Sequence, residues 1–114
     1  MLKTNVLRKK GDFTRLYNKG NSVGERCLVL LYKENGQNIN RRAFLASKKV
    51  GGSVLRNRAR RLLRESYREL EPDIKTGYDL IFVARKTIIN LKCADVKKSM
   101  EAAIRKGKLN NKNR

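Results

Sequence analysis

Six arginines lie between positions 56 and 68 of the chain. The guanidinium group stays charged at physiological pH, and its planar donors match the oxygens of a phosphate group. If the segment is helical, Arg56, Arg60 and Arg64 rise in steps of about 6 Å along one face. Like charges at this spacing repel each other, and a bound polyanion would relieve that repulsion. These residues therefore indicate the binding of repeated phosphate groups.

The charge of the whole chain indicates the same kind of partner. Its 114 residues include 29 Lys and Arg against 10 Asp and Glu, which gives a formal net charge of +19. A charge of this size opposes compaction by self-repulsion, and it favours nucleic acid over an anionic membrane surface as the partner. A merely solvated basic face is the alternative interpretation. The separation of the arginines from the glutamates of the same segment argues against it.

Catalytic groups are scarce in this sequence. It contains no histidine, which excludes Ser-His-Asp catalysis, Cys-His catalysis and histidine-metal sites. The acidic residues Glu69, Glu71, Asp73 and Asp79 do not form a recognisable metal-binding nuclease motif. We therefore predict no catalytic residue and no metal site in the chain itself.

The cysteines and the apolar runs suggest a cellular location. Cys27 and Cys93 are far apart and lack CxxC spacing, so we expect reduced thiols in a cytoplasmic protein. The N-terminus lacks the apolar segment of a signal peptide. The longest apolar run, Leu28 to Tyr32, is far too short to cross a bilayer. We expect no membrane partner.

A small α+β fold is expected to position the arginine segment. Periodicity and turn signals predict one domain over residues 1–114, in the order αββαβα, with helices packed on a mostly antiparallel sheet. Residues 107–114 are expected to form a frayed basic tail. The predicted elements are a helix from Asp12 to about Gly20, strands over Val23–Lys33 and about Arg41–Ser47, a helix over Ser53–Leu70, a strand over Tyr78–Ala84 and a helix from about Lys92. An Asn35-Gly36 turn is expected to join the first two strands as an antiparallel pair.

Aromatic side chains near the N-terminus offer a second kind of contact. Phe13 and Tyr17 share one face of the first helix, and Tyr32 lies on the first strand. Exposed aromatic rings beside a basic surface bind single-stranded nucleic acid by stacking. The alternative is that these rings belong to the core, although the polar tips of Tyr17 and Tyr32 favour partly exposed positions.

Two stretches resemble the signature of the bacterial ribonuclease P protein subunit. They are Ser47-Lys48-Lys49-Val50-Gly51 and Val54-Leu55-Arg56-Asn57-Arg58-Ala59-Arg60-Arg61-Leu62-Leu63-Arg64-Glu65. Weaker matches in the right order extend the resemblance over residues 5 to 108. The resemblance implies a two-layer α/β sandwich with a left-handed β-α-β crossover around the arginine helix.

The resemblance also implies a division of labour. A catalytic RNA that uses Mg²⁺ would remove the 5′ leader of precursor tRNA, while the protein binds this RNA subunit and the leader. The resemblance implies no small-molecule substrate. The residues expected to contact RNA are Lys48, Lys49, Arg56, Asn57, Arg58, Arg60, Arg61, Arg64 and Arg68. Those expected to line a leader cleft between the first helix and the sheet are Phe13, Tyr17, Leu31 and Tyr32.

Three details of this resemblance can be decided only with a structure. Asn57 would either hydrogen-bond RNA or cap the start of its helix. The family's cleft tyrosine falls at Leu31, and strand side chains alternate, so Tyr32 is expected to face the other way if Leu31 faces the cleft. The second strand carries Arg42 and Ala43 where the family usually has an apolar residue and then glycine.

Other functions remain in competition with the one that the resemblance implies. A structural RNA-binding protein of ribosomal type has the same composition. A DNA-binding helix-turn-helix protein is disfavoured, because the basic helix follows a strand and a Gly51-Gly52 bend rather than a partner helix.

Overall fold

The structure, a computed structural model, describes residues 6–7 and 10–111. Within these residues the chain forms three helices and four strands, which confirms the predicted α+β class. Short 3₁₀ turns follow α2 and β4. The elements are α1 (Lys10–Lys19), β1 (Asn21–Gly24), β2 (Leu28–Glu34), β3 (Arg41–Ala46), α2 (Ser53–Leu70), a 3₁₀ turn at Glu71–Asp73, β4 (Tyr78–Ala84), a 3₁₀ turn at Lys86–Asn90 and α3 (Cys93–Lys106).

The strands form one sheet in the order β1-β2-β4-β3. The pairs β1–β2 and β2–β4 are antiparallel, whereas β3 and β4 are parallel. Helix α2 connects the parallel neighbours, so β3, α2 and β4 form the expected β-α-β crossover. The predicted mostly antiparallel sheet is confirmed, and the left hand of the crossover stays a prediction.

The first predicted strand is in fact two strands. The chain turns after Gly24, and the backbone N–H of Glu25 donates to the carbonyl oxygen of Leu28 at 2.8 Å. This turn folds β1 back along β2, with Gly24 opposite Val29. The short β1 thereby satisfies the hydrogen-bonding groups on an edge that β2 would otherwise expose.

The predicted hairpin through Asn35-Gly36 is wrong, because β4 lies between β2 and β3. Leu80, Ile81 and Phe82 of β4 are fully buried, and a strand buried on both faces belongs in the middle of a sheet. The turn still forms, but the side chain of Asn35 contacts the central strand β4. Its amide nitrogen donates to Asp79 Oδ1 at 3.0 Å. The sequence therefore predicted the turn correctly, but it did not predict which strands pair.

The sheet has a different cover on each face. Helices α2 and α3 pack on one face, where Leu63, Phe82 and Met100 are fully buried in the larger core cluster. Helix α1 packs on part of the other face, where Leu16 contacts a smaller cluster that includes Ile81. No helix among the described residues is long and apolar enough to span a membrane.

Residues 107–111, which were predicted to be frayed, pack against the rest of the fold. Leu109 is 1% exposed, because its side chain fills the end of the larger core cluster. Two backbone hydrogen bonds hold the segment in place: Lys75 N–H donates to Leu109 O at 2.7 Å, and Asn111 N–H donates to Asp73 O at 2.7 Å. Residues 107–111 are thus part of the fold, and the rest of the predicted tail, residues 112–114, lies outside the described residues.

Candidate RNA interface

Helix α2 carries the predicted cationic face at the position expected for it. Its apolar residues, among them Ala59, Leu63 and Leu70, are buried against the sheet and α3. Apart from Arg58, the arginines fall on the side of the helix that this packing leaves open. Arg56 and Arg60 are half-buried, whereas Arg61, Arg64 and Arg68 are exposed, and Lys48 and Lys49 are exposed in the bend before the helix.

Asn57 does not cap the helix. The N-cap position is occupied by Gly52, and Asn57 lies one turn inside α2. Its side-chain oxygen accepts a hydrogen bond from the Arg60 guanidinium. This contact orients Arg60 on the exposed surface, and the amide nitrogen of Asn57 stays available as a donor. The capping alternative is therefore wrong.

Arg58 does not lie with the other predicted RNA contacts. Its guanidinium donates to the carbonyl oxygens of Ile89 at 3.4 Å and Leu91 at 3.1 Å, on the α3 side of the helix. These bonds hold α2 against the 3₁₀ turn that follows β4. The structure gives Arg58 a positioning role within the protein, and a contact from Arg58 to RNA stays a prediction.

Beside α1, on the sheet face that the helix partly covers, lies a patch of apolar side chains where the leader cleft is predicted. Its partly buried side chains include Phe13 of α1, Leu31 of β2 and Val83 of β4. Tyr17 lies one turn beyond Phe13 on the same helix and is 55% exposed. Three of the four predicted cleft residues, Phe13, Tyr17 and Leu31, thus belong to α1 or to the sheet face that it covers.

Tyr32 was wrongly predicted to line this cleft. Side chains alternate along β2, so Leu31 faces α1 and Tyr32 faces the larger core cluster. The Tyr32 ring packs edge-on against Tyr78, with centroids 6.4 Å apart. It also lies close to Gly107, where an added Cβ would approach the ring within 3.1 Å. Its ring therefore helps to seat the end of α3.

Charged side chains tie α1 to the sheet at one end of the cleft. The Arg41 guanidinium donates two hydrogen bonds to Asp79, from Nε at 2.8 Å and from Nη2 at 2.7 Å. These bonds raise the pKa of Arg41. Asp12 of α1 lies 3.5 Å from Arg41 and 3.0 Å from Arg15. Sequence reasoning missed this network, although a carboxylate at the start of the apolar strand β4 was a signal for it.

Val83 also lines a basic pocket of about 600 Å³ at the carboxyl ends of β3 and β4. Lys49, Arg85 and Lys86 supply its charge, and Ser47 adds a hydroxyl. The Arg85 Nη1 also donates to the carbonyl oxygen of Glu25 at 3.1 Å, which fixes its direction. Arg85 and Lys86 were not predicted as RNA contacts from the sequence. Their position directly after a buried strand was the available signal.

The cationic face of α2 and the apolar patch beside the basic pocket supply two kinds of contact, to phosphates and to bases, that a single strand of nucleic acid uses. Among the described residues, no group of three or more His, Cys, Asp and Glu side chains could hold a metal ion. The family model for ribonuclease P matches residues 1–108. The chain belongs to the ribonuclease P protein family.

Named relatives and solved structures agree with this family. The ribonuclease P protein component of Alkaliphilus oremlandii is 43% identical over 107 residues, covering 94% of each chain. That of Thermoanaerobacter sp. is 45% identical over 100 residues, covering 88% of this chain and 86% of its own. A Staphylococcus aureus RNase P protein, solved as a mutant with defective mRNA degradation activity, superposes with a TM-score of 0.86 at 30% identity, covering 94% of this chain and 91% of its own. The chain is thus a subunit of ribonuclease P, an endoribonuclease that matures tRNA.

Proposed function

We propose that this subunit assists a catalytic RNA in removing the 5′ leader of precursor tRNA, by binding both that RNA and the leader. The observation that carries the proposal is that Val83 belongs both to the apolar patch beside α1, where the cleft is expected, and to the basic pocket before α2. A structural RNA-binding protein of ribosomal type would not need such a cleft. The family assignment also favours the ribonuclease P role.

The cleft is the proposed leader site. Phe13 and Leu31 offer an aromatic ring and an apolar floor, on which unpaired bases stack without regard to sequence. Lys49, Arg85 and Lys86 line the basic pocket that shares Val83 with the apolar patch, where they would neutralise the backbone phosphates of the same strand. Duplex nucleic acid offers no free base faces to such a cleft, so the geometry favours a single strand.

Helix α2 is the proposed contact to the RNA subunit. Arg56, Arg60 and Arg64 form its cationic row, and Arg61 and Arg68 widen it on the exposed side. Asn57 directs Arg60 outward and has an amide donor left for RNA. Because α2 is fixed on the sheet by its buried face, these donors are presented on a rigid element.

The catalytic RNA would hold the Mg²⁺ that acts on the scissile phosphate. The contribution of the protein is to add binding energy for the leader and to lower the repulsion between the phosphates of the two RNA molecules. Less Mg²⁺ should then be needed for the same rate. No catalytic group of this chain takes part in the proposal.

Cleavage of a 5′-extended precursor tRNA at low Mg²⁺ tests the proposal. The catalytic RNA is assayed alone, with the protein, and with a variant carrying Arg56→Ala, Arg60→Ala and Arg64→Ala. The expected result is stimulation by the protein and loss of most of it in the variant, because three phosphate contacts are removed.

A matched control separates local contacts from total charge. Lys75→Ala, Lys98→Ala and Arg105→Ala remove the same three charges from exposed positions outside the α2 arginine row. This control should keep the stimulation. Tight RNA binding without any stimulation would move the protein to the structural class, and cleavage by the protein without RNA would contradict the division of labour.

A further inference from the structure

A groove lies between β3 and α2, on the opposite face of the sheet from the leader cleft. Its volume is about 410 Å³, a size suited to a single nucleotide. Arg42 forms its wall on the sheet side, since Arg42 and Phe44 face α2 while Ala43 between them faces α1. A charged side chain of the sheet is thereby aimed at the cationic helix.

Aromatic packing fixes the position of Arg42. Its guanidinium lies over the Tyr67 ring, 5.6 Å from the ring centroid. That ring is itself immobilised, because Phe44 and Phe82 each lie 5.6 Å from it. A guanidinium held against an aromatic face keeps its planar donors in one orientation, which lowers the entropy lost when an anion binds.

The helix side of the groove supplies three more cations. Arg61, Arg64 and Arg68 are exposed there, and their guanidinium groups make no hydrogen bond or ion pair with any residue that the structure describes. Glu65 and Glu71 also line the groove, so four arginines stand against two carboxylates. The excess positive charge is concentrated where the two walls meet, and a bound anion would reduce the repulsion between the arginines.

We propose that this groove binds a backbone phosphate of the RNA subunit, with Arg42 and the exposed arginines of α2 as donors. The inference rests on the proposed function and extends it, because it adds a contact from the sheet to those from the helix. Since the sheet separates the groove from the leader cleft, the two contacts are independent. Loss of Arg42 should weaken binding of the RNA subunit and leave leader recognition unchanged.

The test compares Arg42→Leu with Lys98→Leu, which removes the same charge from an exposed position on α3 outside the groove. Binding to the labelled RNA subunit is measured over a series of salt concentrations. The slope of log K against log salt should become less negative by about one in R42L, as expected for one lost phosphate contact, and stay unchanged in K98L. The affinity of R42L should fall about tenfold, the effect of one charge-assisted hydrogen-bonding group.

Two further variants guard against a folding artefact. Arg42→Lys keeps the charge and should keep the salt slope while losing part of the affinity. The exposed pair Arg64→Ala and Arg68→Ala, which leaves the core untouched, should also make the slope less negative. An unchanged slope in either R42L or this pair overturns the proposal.

The source of the bound phosphate is tested with precursor tRNA, with and without its leader. The ratio of the two affinities should be the same in R42L as in the unmodified protein. An R42L effect that appears only with the leader present would overturn the assignment to the RNA subunit. Failure of the unmodified protein to bind the RNA subunit would instead contradict the proposed function itself.

Discussion

Asp79 occupies a costly position for a carboxylate, at 3% exposure near the start of the central strand. Burial of a charge is tolerated only where partners replace the lost water. Arg41 supplies two hydrogen bonds and the Asn35 amide a third, which together satisfy both oxygens. One residue thereby joins β3, β4 and the turn after β2, and through Arg41 it reaches Asp12 on α1.

Asp79→Asn should therefore destabilise the protein by about 2 kcal/mol. The substitution removes the charge partner of a mostly buried Arg41 but keeps one acceptor oxygen, so the cost falls below that of breaking a fully buried pair. The measurement is chemical denaturation at constant pH. Lys97→Ala is the control, because its ion pair with Glu69 is exposed to solvent and lies away from Asp79, so its loss should cost much less. Equal losses in the two variants would contradict the role assigned to Asp79.

The long, strongly patterned elements were predictable from the sequence, and the way they pair was not. Helix α2 and strand β4 have the predicted bounds, because an amphipathic period and an apolar run decide each of them locally. Sheet order depends instead on which strand is buried on both faces, a property that emerges only when α1 and α2 cover opposite sides. The same long-range packing decided the side on which Tyr32 lies and the place of Arg42.

Alternation along β2 gives a direct test of the cleft. Phe13→Leu keeps an apolar side chain in the cleft but removes the aromatic ring, and it should reduce the preference for leader-bearing over mature tRNA about tenfold. Tyr32→Phe, on the other face of the sheet, should leave that preference unchanged. The measurement is the ratio of the two dissociation constants in the presence of the RNA subunit. If Y32F lost the preference for leader-bearing tRNA and F13L kept it, the leader would bind the α2 face of the sheet rather than the α1 face.

On the scale of the whole molecule, the positive charge is arranged on both sides of one sheet. The basic pocket adjoins the apolar patch on the α1 side, and the arginine groove lies on the α2 side. The sheet between them is close-packed, with Ile81 facing α1 and Phe82 facing α2. Two RNA segments bound on these sides would be held at a fixed separation by the core.

A steep salt dependence follows from this arrangement. With the α2 arginines engaged, the slope of log K against log salt for binding the RNA subunit should be about −4 to −6. Titration with a monovalent salt at constant Mg²⁺ measures it. A nearly flat dependence would contradict a phosphate interface. Raising the pH from 6 to 8 should leave the slope unchanged, because arginine keeps its charge over this range.

The central position of β4 also has a consequence for synthesis. β1 and β2 form a hairpin from neighbouring residues, but among the described strands β3 pairs with β4 alone, which begins at Tyr78. During translation, β3 and the cationic helix after it emerge before their sheet neighbour exists. Most of the arginines of the chain are therefore synthesised before the sheet can be completed. In chains that stop before β4, no strand lies between β2 and β3.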